Sequence, residues 1–165
     1  MAYINPASGT TSQIVLKLDC GIALGTLTLG GSPLTVPALQ DITINAANDV
    51  FTWSQLDATA KQQVATTSTN SIAMNLVVDP TTFFGTTLAS VQSDTVAAQG
   101  ILGLSRNKTL VTFSLKFQEG GATDKFIKGQ GYITGLAPTL TADAPVWVSP
   151  ITITVTGEYT SSATE

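Results

Sequence analysis

The sequence predicts a mostly β fold with a small helical part, and three observations carry that expectation. Residues 151–159 alternate without a break: Ile151, Ile153, Val155 and Tyr159 point one way, and Thr152, Thr154, Thr156 and Glu158 the other. The run from Leu110 to Gln118 does the same, with Val111, Phe113, Leu115 and Phe117 opposite Thr112, Ser114 and Lys116. Glycine, proline, serine and aspartate cluster between such runs, as they do between short antiparallel strands. The expected architecture is an antiparallel α+β or mostly β sandwich or barrel.

Composition sets the frame. At 165 residues the chain fits one domain, and 43% hydrophobic residues supply a core. Charged residues make up only 11%, against roughly 25% in soluble domains, while threonine occurs 27 times. A surface so poor in charge favours coverage by partner subunits, and hence a homo-oligomer.

A net charge of −4 opposes direct nucleic-acid binding, which needs clustered cations. Lys116, Lys125 and Lys128 come nearest to a cluster, but each sits among apolar strand residues. Cys20 is the single cysteine, so no intrachain disulfide forms, and its neighbours Leu18 and Ile22 suggest a small buried hydrophobe. The start, Met1 to Pro6, lacks the basic end and apolar run of a signal peptide, and no stretch reaches membrane-spanning length. The expectation is synthesis in a cytoplasm and no membrane partner.

Along the chain, residues 1–12 read as an extended arm. Strands are expected over 13–19 and 22–29, then a turn at Gly30-Gly31-Ser32-Pro33. Another strand is expected over 41–45, with Ala46-Ala47-Asn48-Asp49 as a separator before Val50-Phe51-Thr52-Trp53. Leu56, Ala60 and Val64 have helical spacing, so a short helix is expected over 54–64. Residues 71–79 return to a period of two.

Asp79-Pro80 is a helix start, an Asp cap followed by proline at the first helical position. A flanking helix is expected over about 80–92, with Phe83, Phe84, Leu88 and Val91 on one apolar face. Residues 97–107 are expected to be loop. Lys125 to Leu136 is expected to be the hairpin partner of the strand at 110–118, bulged by Gly129, Gly131 and Gly135. Residues 137–145 read as loop before the closing strand.

Chemistry finds little to work with. The chain has no histidine, which removes the common nucleophile–base pairs. Its acids fall mainly at turns and element ends, so no catalytic residue is assigned. Gly129-Gln130-Gly131 with Gly135 departs from the dinucleotide fingerprint. Asp41, Asn45 and Asp49 lack the spacing of a calcium loop, and zinc ligands are missing. Asn107-Lys108-Thr109 is a sequon without a secretory context. No metal or cofactor is expected. Trp53 and Trp147 leave a carbohydrate-binding β-sandwich as the alternative, which requires both rings exposed on one face; a small carboxylate hydrolase is more remote.

Phe51 to Lys61, with Leu56-Asp57 and Ala60-Lys61, followed by Ile72 through Asp79-Pro80, resembles the bacteriophage tail tube proteins. Gly131-Tyr132-Ile133-Thr134 and Val148 to Gly157 are similar to that family's closing hairpin and terminal strand. The likeness covers roughly residues 40–160, and contractile secretion tube subunits are related.

The resemblance implies two packed antiparallel sheets with a flanking helix, in a virion structural protein that is not an enzyme. It implies self-association into stacked hexameric rings, and a lumen that passes DNA without binding it specifically. Other tail proteins would be partners, with a sheath where the tail contracts. Location in a virion tail, after assembly in the host cytoplasm, also follows. Thr66-Thr67-Ser68-Thr69-Asn70 replaces the family's glycine-rich turn, in a loop expected to meet the next ring. The assembly candidates are Phe83, Phe84, Leu88, Val91, Thr152, Thr154 and Thr156.

Overall fold

A computed structural model describes residues 14–36, 39–56, 60–88, 93, 95–117, 124–141 and 144–165. The expected arm at 1–12 lies outside them. Eight strands and two short helices follow in the order β1 (Ile14–Cys20), β2 (Leu34–Thr35), β3 (Leu39–Trp53), β4 (Gln62–Val77), α1 (Pro80–Phe84), α2 (Val96–Arg106), β5 (Val111–Phe117), β6 (Lys125–Leu136), β7 (Thr139–Thr141) and β8 (Ala144–Ser162).

The mostly β expectation holds, but the two expected sheets are one. All strands pair antiparallel in a single open sheet of order β2-β1-β5-β6-β8-β4-β3, with β7 beside β8. β8 sits centrally, paired through Ile151–Thr154 with β4 on one side and β6 on the other. Its alternation is the one the sequence predicts: Ile151, Ile153 and Val155 are buried, Thr154 and Thr156 exposed, and Thr152 half-buried against Gly135.

Those three apolar residues join Leu16 and Leu18 of β1, Ile72, Met74 and Leu76 of β4, and Val111, Phe113 and Leu115 of β5 in one core. Phe83, Val96, Ile101 and Leu104 close that core from the helical side. Full burial of such side chains contributes about 1.5–3 kcal/mol each relative to exposure. β6 is bulged at Lys128/Gln130 and Ile133/Gly135, as its glycines suggest. A side chain at Gly129 would strike the Phe113 ring, so the glycine makes room for the largest fully buried core residue.

Several local expectations are corrected. The helix begins as read, with the Asp79 carboxylate accepting from the Thr82 amide at 2.8 Å, but it ends at Phe84 instead of near 92. That bond holds the Asp79 carboxyl below its ordinary value. Gly85 stops the helix at φ 68°, ψ 174°, and its backbone crosses directly against that of Gly100, itself at φ 66°, ψ 172°. Neither glycine has room for a Cβ. Bonds from Thr86 N to Ala97 O and from Thr87 N to Ala98 O, both 3.0 Å, complete this backbone-to-backbone seam.

The second correction is α2, where a loop was expected over 97–107. Gly100 breaks it into two short pieces, which hides the apolar spacing of Val96, Ile101 and Leu104 from a periodicity reading. Third, the described residues of the helix expected over 54–64 are not helical: residues 57–59 lie outside the described set, and from Gln62 the chain is strand, with Val64 opposite Phe51.

Fourth, residues 22–29 alternate like a strand yet form a loop. Asp19, buried, accepts from the amides of Cys20 (2.8 Å) and Gly30 (2.6 Å). The side chain of buried Gln130 accepts from Gly25 N and donates to Ala23 O, Thr26 O and the Thr112 hydroxyl. Two buried polar side chains thus satisfy the loop's main chain in place of a neighbouring strand. β7 adds a short strand within the expected 137–145 loop.

Candidate assembly surfaces

Two surfaces stand out once the core is removed from view. The first is the face of β6, β8, β4 and β3 that points away from the core. Register places Thr154 beside Tyr132 and Ser71, and Ser71 beside Asn45. Thr152 likewise lies beside Ala73, and Ala73 beside Thr43. The Thr134 and Thr154 hydroxyls share a bond of 2.7 Å, and Asn45 Nδ2 donates to Ser71 Oγ at 3.3 Å. The rows through Thr154 and Thr152 carry no charge on these four strands. A charge enters at one margin, where Asp41 accepts from Asn75 Nδ2. Thr152 and Thr154, singled out from sequence, therefore lie within a wider hydroxyl and amide surface whose other members come from strands distant in the chain, while Thr156 is exposed beyond the β4 ladder, opposite Gln130.

The second surface is an arm. The inner parts of β3 and β4 belong to the sheet, but residues 46–53 and 62–69 are exposed on both faces. They form a two-stranded ribbon about 25 Å long at 3.3 Å per residue. Bonds from the Thr66 and Thr67 hydroxyls to the main chain and carboxylate of Asp49 brace a bulge between Asn48 and Val50. Near its end, Phe51 and Trp53 stack with centroids 5.9 Å apart, and Phe51 lies opposite Val64. Phe51 is 60% exposed and Val64 48%, and Val50 and Leu56 are exposed as well. An apolar group of this kind at the end of a ribbon has no core of its own to enter.

The helix candidates scatter. Phe83 is a core residue, edge-on to Phe84, which is exposed; Leu88 is exposed in the loop beyond, at φ 52°. Val91 lies outside the described residues. Phe83, Phe84 and Leu88 therefore share no helical face.

Trp53 and Trp147 are both exposed, but at opposite ends of the ladder. Trp53 pairs with Gln62, while Trp147 adjoins the far end, where Val78 N donates to its carbonyl. The two are about 50 Å apart along β4. The face shared by both rings that a carbohydrate module needs is not formed. Among the described residues no cluster of three or more acidic or sulfur ligands could hold a metal ion, and no helix is long and apolar enough to cross a membrane.

An open antiparallel sheet with a helical seam over its core and one hairpin extended beyond it defines the class of fold. No protein-family model matches the chain, and no curated protein matches it in sequence. Solved structures do. A chain of the SPP1 tail tube is 13% identical, with 94% of this chain and 78% of that one covered at a TM-score of 0.63. A chain from the tail of an empty gene transfer agent particle, refined with C6 symmetry, is 11% identical over 93% of this chain and 98% of its own, at 0.60. A chain of the anti-feeding prophage baseplate is 8% identical over 96% and 97%, at 0.61. The chain has the fold of these tail and injection-system proteins.

Proposed function

We propose that this protein is the structural subunit of a phage-type tail tube, self-assembling into stacked hexameric rings with a lumen that passes DNA. The observation that carries the reading is the exposed, apolar-ended β3–β4 arm on a fold shared along nearly its whole length with tail tube chains. An arm of this reach can leave its own ring and bury Phe51, Trp53 and Val64 against the next. Residues 66–70, expected as a loop meeting the next ring, are instead strand of β4 nearer the arm's base, and the ring-to-ring contact falls to the arm's end.

Within a ring, the sheet's open ends supply the second contact. β3 is an edge strand of 15 residues, and β1 at the other end is only partly covered by the two-residue β2. Pairing one subunit's β3 end with the next subunit's β1 end is a head-to-tail contact, which closes into a ring when the rotation permits and leaves no free edges. Six copies accord with the family resemblance and with the C6 symmetry of one similar tail.

The uncharged Thr43, Ser71, Thr134, Thr152 and Thr154 face suits a lumen. The rows through Thr152 and Thr154 hold no Lys or Arg, so a passing phosphate backbone finds no cation there to release counterions and hold it. The role is mechanical, with no catalytic step. Other tail proteins cap the tube, a sheath surrounds it where the tail contracts, and the mature location is the virion tail after assembly in the host cytoplasm.

Negative-stain electron microscopy of the concentrated protein tests this. Six-fold rings or tubes are expected, and a strictly monomeric particle at high concentration overturns the reading.

A further inference from the structure

The arm leaves the body at a defined point, and side chains of β8 and β4 meet there. The β4–β8 ladder ends at Ser71↔Thr154. Residues 62–69 are exposed, and Asn70 is the first buried position of β4. Beyond Thr154, β8 pairs only with β6, so no main-chain pairing to β8 continues along β4 toward the arm.

Side-chain bonds replace it. Between Thr156 and Thr160, β8 carries an irregularity with Gly157 at φ 85°, in the left-handed region that favours glycine. This exposes the Gly157 carbonyl to Asn70 Nδ2, which donates to it at 2.8 Å. Two residues on, Tyr159 points back inward, its ring edge-on to Phe113 with centroids 6.3 Å apart. Its hydroxyl lies 2.8 Å from Ser71 O and 3.0 Å from Asn45 O, carbonyls of residues that face each other across β3 and β4. One phenolic hydrogen serves both acceptors, so the hydroxyl bridges the two strands of the arm where they leave the core.

We propose that Tyr159 and Asn70 are positioning residues, which together fix the angle at which the β3–β4 arm leaves the core. β8 would then do two things: its Ile151–Val155 stretch builds the core, and its Gly157–Tyr159 stretch aims the arm. The claim concerns the isolated subunit and goes beyond the tube reading, since an aimed arm is useful to any head-to-tail assembly.

The test uses the full chain at a dilution where it is monomeric, so its outcome does not depend on tube formation. Spin labels are placed at Ser68→Cys on the arm and Arg106→Cys at the end of α2, in a Cys20→Ala background, and their separation is measured by pulsed dipolar spectroscopy. Tyr159→Phe keeps the ring against Phe113 but removes the hydroxyl; Asn70→Ala removes the other tie. The distance distribution is expected to broaden in each variant and further in the double variant. Amide exchange of residues 45–46 and 70–71 should rise roughly fivefold, as for one lost hydrogen bond, while residues 111–115 stay unchanged. Distributions superimposable on the parent's in both single variants overturn the proposal. So does global unfolding of Tyr159→Phe, which would make the hydroxyl a support of the whole fold and not of the arm.

Discussion

The two halves of the β3–β4 hairpin have the same ladder and opposite fates. In the inner half Ile72, Met74 and Leu76 are buried, and Ile42 and Ile44 pack against them. In the outer half Val50, Phe51, Trp53 and Val64 are just as apolar and stay exposed. Strand geometry is common to both, so the ladder alone does not decide burial. Only the inner half has β8 beside it and the core beneath. Among the described residues no other element covers the apolar surface of the outer half, the pattern of a contact awaiting another molecule.

The sharpest way to break this comparison is one truncation in each half. Ile72→Ala, at a fully buried site, is expected to cost about 2–5 kcal/mol through lost transfer energy and a cavity. Val64→Ala on the arm is expected to stay within about 0.5 kcal/mol. Urea denaturation of the monomer measures both, and equal losses would mean that the arm packs in solution. Slightly below Ile72 in expected effect is Gly100→Ala, which forces a side chain into a glycine-only backbone region and onto the Gly85 main chain. A loss of about 3 kcal/mol is expected from backbone strain of this kind, read by thermal melting.

The same comparison explains what the sequence makes legible. β8 and the Asp79-Pro80 start are local signals, a period of two and a cap with its proline, and both reappear in the fold. The arm is not local. Ala46, Ala47, Asn48 and Asp49 look like a separator because they are small and polar, and only their ladder with Thr69 and Ser68 keeps them extended.

Residues 22–29 fail in the opposite direction. Their alternation is real, but Asp19 and Gln130 satisfy the loop's main chain, and Gln130 lies more than a hundred residues away. The helix face built from Phe83, Phe84, Leu88 and Val91 fails at Gly85, whose role depends on a glycine fifteen residues later. The threonine face is half legible: β8 shows its own three threonines, whereas Ser71, Asn45 and Thr134 join them only through pairing order.

Assembly sharpens the comparison without touching stability. Phe51→Ser with Trp53→Ser is expected to leave the monomer's denaturation midpoint nearly unchanged, since both rings are exposed, and to abolish tubes under the microscope while rings persist. Loss of rings as well would move the arm from the ring-to-ring contact to the contact within a ring. Thr154→Lys is expected to leave stability close to wild type and to make assembled tubes retain a DNA fragment at low salt, with release as salt rises. Tubes that remain indifferent to DNA would place the threonine face outside the lumen.

The smallest expected effect lies at the junction of the two halves. Burial raises the Tyr159 phenol above its ordinary value of 10.0, and the bridge to Ser71 and Asn45 needs its hydrogen. A group whose folded value is raised contributes stability in full below the unfolded value, and loses it as pH rises through the folded one. The difference in unfolding free energy between wild type and Tyr159→Phe should therefore be constant through neutral pH and shrink above about pH 10. Contributions common to the two proteins cancel in the difference. A gap that stays constant to the alkaline limit would mean that the hydroxyl does not bridge the strands, and the arm's root would then be held by packing alone.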